Sequence, residues 1–122
     1  MREKGKTAVH EFPVVMDVIK IANEEAEKQK LKTISAITLV VGELSSVMDE
    51  SVQMYFELLS EDTPCAHAKL IFEHVSATFR CSACQKEFPH SVGFFCPECG
   101  GEGLLVKGTG RELYIKTVIG EP

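Results

Sequence analysis

The sequence predicts an α+β fold in which two helices lie on a small mixed β-sheet and a four-cysteine module is inserted before the last strand. Three observations predict it. Apolar residues recur at helical spacing in two separate segments. Between and after them lie segments rich in β-branched and aromatic residues, the signature of strands. Late in the chain stand two Cys-x-x-Cys pairs, Cys81-Ser-Ala-Cys84 and Cys96-Pro-Glu-Cys99, eleven residues apart.

In chain order, residues 1–8 read as an unstructured polar leader. Pro13 is placed as a helix start. From there Val15, Val18, Ile19, Ala22 and Ala26 form one apolar face, with Glu24, Glu25, Glu27, Lys28 and Lys30 on the other. Residues 34–41 read as a strand with Ile37, Leu39 and Val41 on one face, and their near-continuous apolar run suggests cover on both sides. The turn Gly42-Glu43-Leu44-Ser45-Ser46 leads to a second helix capped by Asp49 or Ser51. Its stripe is Val52, Tyr55, Phe56 and Leu59, widened by Met54 and Leu58, and it stops before Pro64. A strand at about 69–79 enters the cysteine module. Gly108-Thr109-Gly110 turns the chain into a last strand, in which Leu113, Ile115 and Ile119 alternate with Tyr114, Lys116 and Val118. That strand must rejoin the body, because alone it could not bury its apolar face.

The paired knuckles aim four thiolates at one point, which suits a tetrahedral zinc, with iron as a competitor. Cys81, Cys84, Cys96 and Cys99 are therefore the expected ligands. Two disulfides are the bland alternative, and a thioredoxin-like redox pair is a weaker one. An all-cysteine shell leaves no open position for substrate, so the metal holds structure rather than catalysing. Phe88, Pro89, His90, Phe94 and Phe95 are expected to pack around it, with His90 able to act as a neighbour of the ligands or as an alternative ligand. Cys65 reads as a small buried residue, with metal binding beside His67 as the lesser reading. His67 and His74 read as ordinary surface or packed residues.

A chain of 122 residues holds one domain, or one with a small insert. Its formal charge of −5 disfavours nucleic acid as the main partner. No apolar run approaches the roughly 18 residues of a membrane span, and the N-terminus lacks the apolar core of a signal peptide. The expected location is the cytoplasm. The expected organisation is a leader at 1–8, an α+β domain at 9–79 plus 108–122, and a zinc-binding ribbon domain at 80–107. No nucleophile–base pair, phosphate loop or open catalytic metal site is legible, so the chain does not read as an enzyme.

His10-Glu11 before a helix is unremarkable alone: Glu11 suits a helix N-terminus and His10 reads as solvated. In combination the picture changes. Val9-His10-Glu11, Val41-Gly42-Glu43-Leu44-Ser45, the two cysteine pairs and Gly110-Arg111-Glu112-Leu113-Tyr114-Ile115-Lys116 occur in this order. With these motifs the chain resembles the HypA/HybF family, nickel metallochaperones of NiFe-hydrogenase maturation. The resemblance implies zinc at Cys81, Cys84, Cys96 and Cys99 as a structural cofactor. It implies nickel as transported cargo at His10 and Glu11, where an α-amine, backbone amides and an imidazole form chelate rings suited to Ni(II). It also implies a nickel-delivery GTPase (HypB-like) and a hydrogenase large subunit as partners, with a homodimer possible and no nucleic acid or membrane. Glu43 and Ser45 read as structural, and Arg111 and Glu112 as closing the body or meeting a partner.

One departure stands out. The family begins Met-His-Glu, whereas here Val9 takes the place of that Met and eight residues precede it. The expectation is that the native chain starts at Val9 through a GUG codon. A rubredoxin-like electron carrier and a nucleic-acid-binding zinc ribbon are the competing readings. Gln85 after the first knuckle weakens the former, and the absence of a basic stripe over 81–100 weakens the latter.

Overall fold

A computed structural model describes the backbone of residues 2–122 and the side chains of residues 11–122. Helix α1 spans Arg2–Gln29. The expected helix start at Pro13 is therefore corrected: Pro13 lies inside α1, and the segment read as a leader is helical from Arg2. Arg2, Glu3, Lys4, Lys6 and Ala8 are good helix formers, which carries the helix across a proline that lacks one backbone donor. Met1 lies outside the described residues.

Strand β1 (Thr33–Gly42) follows, then helix α2 (Asp49–Leu59), β2 (Lys69–Val75), β3 (Thr78–Cys81), β4 (Glu87–Pro89), the one-turn 3-10 helix η1 (His90–Val92), β5 (Gly103–Leu105) and β6 (Leu113–Glu121). They form two three-stranded sheets, β2-β1-β6 and β4-β3-β5. The single strand expected at 69–79 is two, broken around Ala77.

The chain divides into two compact units. The first comprises the chain up to Leu39, Val47–Glu73 and Tyr114–Pro122. Its buried residues include the expected α1 face, Val15, Val18, Ile19, Ala22 and Ala26, with Ile34, Ile37 and Leu39 of β1 and Val52 and Phe56 of α2. Helices α1 and α2 pack together, and the rings of Phe12 and Tyr55 meet edge to face. Met54 and Leu58 do not widen the buried stripe, since both are exposed: only the Val52–Phe56 side of α2 faces inward. In β6 the expected alternation holds to Lys116 and then changes phase, with Val118 half-buried and Ile119 exposed. An edge strand has one neighbour only and is freer to shift in this way.

The second unit comprises Val40–Ser46 and His74–Leu113. Here β3 pairs antiparallel with β4 and β5, with Phe79 opposite Phe88 on one side and Leu105 on the other. Phe79, Cys81, Phe88 and Cys96 form its small core, with Leu105 against it. A close backbone approach joins its turns. A Cβ on Gly42 would lie 2.4 Å from the Gly110 carbonyl group, and one on Gly110, whose φ is +86°, would lie 2.7 Å from the Ala77 Cβ. Neither position has room for a side chain, which accounts for the glycine in each motif.

Candidate metal centre

The two knuckles come from different elements. Cys81 ends β3, and Cys84 follows in a turn closed by the Gln85 N–H donating to the Cys81 carbonyl. That turn carries Gln85 at φ +70°. The second turn is closed by the Gly100 N–H donating to the Cys96 carbonyl, with Gly100 at φ +77°. Gly101 then runs so close to the cluster that a Cβ there would lie 2.7 Å from the Cys81 Sγ. Both knuckles use a left-handed residue to turn back on themselves.

The four sulfurs of Cys81, Cys84, Cys96 and Cys99 lie within 4.8 Å of one another. Cys81 and Cys99 approach to 3.3 Å, and Cys84 and Cys96 to 3.7 Å. Zinc–sulfur bonds of about 2.3 Å in a tetrahedron place sulfurs roughly 3.8 Å apart, so the donor set fits zinc. The electrostatics agree. The N–H groups of Cys84 and Ala83 point at the Cys81 sulfur and bring its thiol down to about 6. Cys99 is pushed up to about 12: the Gly101 N–H opposes the rise, but the neighbouring Cys81 and Cys84 sulfurs override it. Four crowded thiolates repel one another, and a divalent cation at their centre removes that penalty. Of the four cysteines, Cys81 and Cys96 are buried and Cys84 and Cys99 exposed.

Around this cluster the aromatic expectation holds in part. Phe88 is buried, and Phe94 meets Phe79 and His90 edge to face, with ring centroids 5.6 and 5.1 Å apart. Phe95 is exposed, so it is not part of the packing. His90 is not in the donor cluster. Its Nδ1 lies 3.1 Å from Glu43 Oε2. Glu43 also accepts the Ala77 N–H at 2.8 Å, and these two contacts, the backbone one first, hold its carboxyl below the usual range. The Ala77 carbonyl in turn accepts the His90 N–H. Glu43 thus fixes the start of the ribbon strand β3 and the loop bearing His90, a structural role as expected, with partners that its place in a turn did not name.

Cys65 is fully buried beside the Thr63 hydroxyl, and burial raises its thiol. His67 is exposed. Neither joins the four-cysteine cluster, the only group of three or more potential ligands among the described residues.

His10 lies on the α1 backbone, and its side chain lies outside the described residues. Glu11 is fully buried. Its Oε2 accepts the Met48 N–H at 2.6 Å, and its Oε1 has no partner among the described residues. Met48 is the N-cap of α2 and receives no side-chain cap of its own. The expected caps, Asp49 and Ser51, are thus replaced by a carboxylate from α1, set where the helix dipole favours negative charge. Because α1 runs from Arg2, the N–H groups of residues 9–11 are committed to carbonyls four residues earlier. Pro13 supplies no N–H to close the next turn.

Residues 9–119 match the family model for hydrogenase/urease nickel incorporation, the metallochaperone HypA. The hydrogenase maturation factor HypA of Caldanaerobacter subterraneus subsp. tengcongensis is 40% identical over 111 residues, covering 90% of this chain and 97% of that protein. The counterpart in Dehalococcoides mccartyi strain CBDB1 is 37% identical over 90% of this chain and 92% of its own. The solution structure of the Ni metallochaperone HypA from Helicobacter pylori superposes with a TM-score of 0.62 at 21% identity, covering 91% of this chain and 97% of that one.

Proposed function

Because this chain belongs to the HypA family of nickel-incorporation metallochaperones, we propose that it takes up Ni(II) at the His10-Glu11 motif and passes it on during hydrogenase maturation. It is a nickel metallochaperone for hydrogenase maturation, with a four-cysteine cluster that can hold a zinc ion. The observation that carries the reading is the family match, which begins at Val9 and so includes the His10-Glu11 motif.

We assign zinc to Cys81, Cys84, Cys96 and Cys99. When bound, it neutralises the thiolates and supplies folding energy to a unit with a core of few residues. Nickel is cargo. We assign its capture to the His10 imidazole with nitrogen donors of the adjoining backbone. The buried Glu11 side chain anchors this segment to the start of α2, whose first turn carries Asp49 and Glu50. Backbone donors at residues 9–11 require the helix to open there, and the missing Pro13 N–H weakens the ladder at that point. We propose the functional division 9–79 plus 108–122 for nickel and 80–107 for zinc. Cys81, Cys84, Cys96 and Cys99 all fall in the second segment, and Cys65 in the first.

A maturation factor acts within a maturation machinery. A HypB-like GTPase and a hydrogenase large subunit are the partners we propose, with delivery rather than catalysis as the activity and the cytoplasm as its place. No helix among the described residues is long and apolar enough to cross a membrane. Metal analysis after equilibrium dialysis tests the assignment. His10→Ala should lose nickel and keep zinc, Cys84→Ser should lose zinc, and retention of nickel by His10→Ala would contradict it.

A further inference from the structure

The packed helices of the first unit carry an exposed apolar surface that the metal sites do not use. Phe12 is 42% exposed, Met16 49%, Met54 51% and Leu58 63%. Helix geometry makes them continuous. Met16 follows Phe12 by four residues, Leu58 follows Tyr55 by three, and Leu58 follows Met54 by four, so each pair shares a face. The rings of Phe12 and Tyr55 join the two helices at 5.7 Å with planes at 90°. Contiguous apolar surface of this kind marks an interaction site, and its two methionines adapt their shape to what lies on them.

The rim defines the occupant. Helix α2 bears Asp49, Glu50 and Glu57, and Glu61 and Asp62 follow it directly. From Thr33 to Ala68 the chain contains no lysine or arginine. On α1, Asp17 and Lys20 border Met16, so among the described residues Lys20 is the one cation placed at this edge by helix spacing. An acidic rim repels anionic lipid and nucleic acid, and would repel a second copy of itself.

We propose that this surface docks a basic amphipathic helix of a protein partner. Apolar anchors at i, i+3 or i+4 and i+7 would lie over Phe12, Tyr55 and Leu58, with Lys or Arg facing the α2 carboxylates. The proposal goes beyond the metallochaperone reading, and its test uses no nickel.

The test titrates the zinc-loaded, isotope-labelled chain with two helical peptides about five turns long. One carries leucines at helical spacing with lysines elsewhere, and its twin has glutamate for every lysine. The lysine peptide should bind at least about tenfold more tightly, with affinity falling as salt rises. Amide shifts should gather at Phe12, Met16, Tyr55 and Leu58. Leu58→Asp, and the double variant Glu57→Lys with Glu61→Lys, should each weaken binding by about tenfold or more at an unchanged circular dichroism spectrum. All three side chains are exposed. Equal binding of the two peptides, shifts elsewhere, full binding by both variants, or burial of the surface in a self-association seen by sedimentation would overturn it.

Discussion

Replacing Glu11 tests whether a buried carboxylate on α1 sets the start of α2. Glu11→Ala removes the acceptor of the Met48 N–H, a contact of 2.6 Å to a charged group. Such bonds contribute about 1.5–3 kcal/mol. Loss of an N-terminal cap interaction lies in the same range, at about 0.5–2 kcal/mol, and is the same bond seen from α2, so the two are not added. The partial offset is that Oε1 has no partner among the described residues, and deleting it relieves about 1 kcal/mol. The empty space left at a fully buried position works the other way. The net expectation is a destabilisation of about 2 kcal/mol for Glu11→Ala. Glu11→Gln keeps a carbonyl acceptor and loses only the charge–dipole part, about 0.3–1 kcal/mol. Denaturant unfolding of the zinc-loaded protein gives both values, and amide exchange at Met48 localises them. Equal loss in the two variants, or a loss below about 0.5 kcal/mol in Glu11→Ala, would refute the capping argument.

Other expectations follow from the same structure. Phe56→Ala empties a position 1% exposed and should destabilise the first unit by about 3–5 kcal/mol by thermal or denaturant unfolding. Gly42→Ala drives a methyl group into the Gly110 backbone. Its melting temperature should fall further than that of Gly108→Ala, where the added Cβ meets no neighbour, although Gly108 has a positive φ. Glu43 has its carboxyl held down, by the Ala77 N–H first and His90 second. A depressed acid stabilises above its unfolded pKa of about 4.3 and loses that contribution as pH falls through the folded value. The stability gap between wild type and Glu43→Gln should therefore narrow on acidification below about pH 4.3, and a gap that widens there would contradict the contact. Chelation of zinc should collapse the dispersion of amide signals from Phe79 to Leu105 and restore it on re-addition.

Periodicity and spacing carried much of this architecture. The α1 face from Val15 to Ala26 was legible because core packing follows helical spacing, and all five residues are buried. The cysteines were legible because knuckle chemistry is local: each pair closes its own turn. What stayed hidden was long-range. Glu11 meets Met48 across 37 positions, and Gly42 meets Gly110 across a whole module. Local propensity could not show either partner. It also misplaced Pro13, because the favourable residues before it continue the helix. Met54 and Leu58 share the apolar character of the buried stripe, so exposure alone separates a docking surface from a core.

The most direct test of the central claim is a nickel titration by calorimetry of two zinc-loaded proteins: the chain of 122 residues, and a form starting at position 9 with Met in place of Val9. The short form, where a free amine precedes His10 and no helix upstream holds the amides, should bind nickel more tightly and lose that binding in its His10→Ala variant. Equal affinity in both forms that survives His10→Ala would place the nickel site elsewhere.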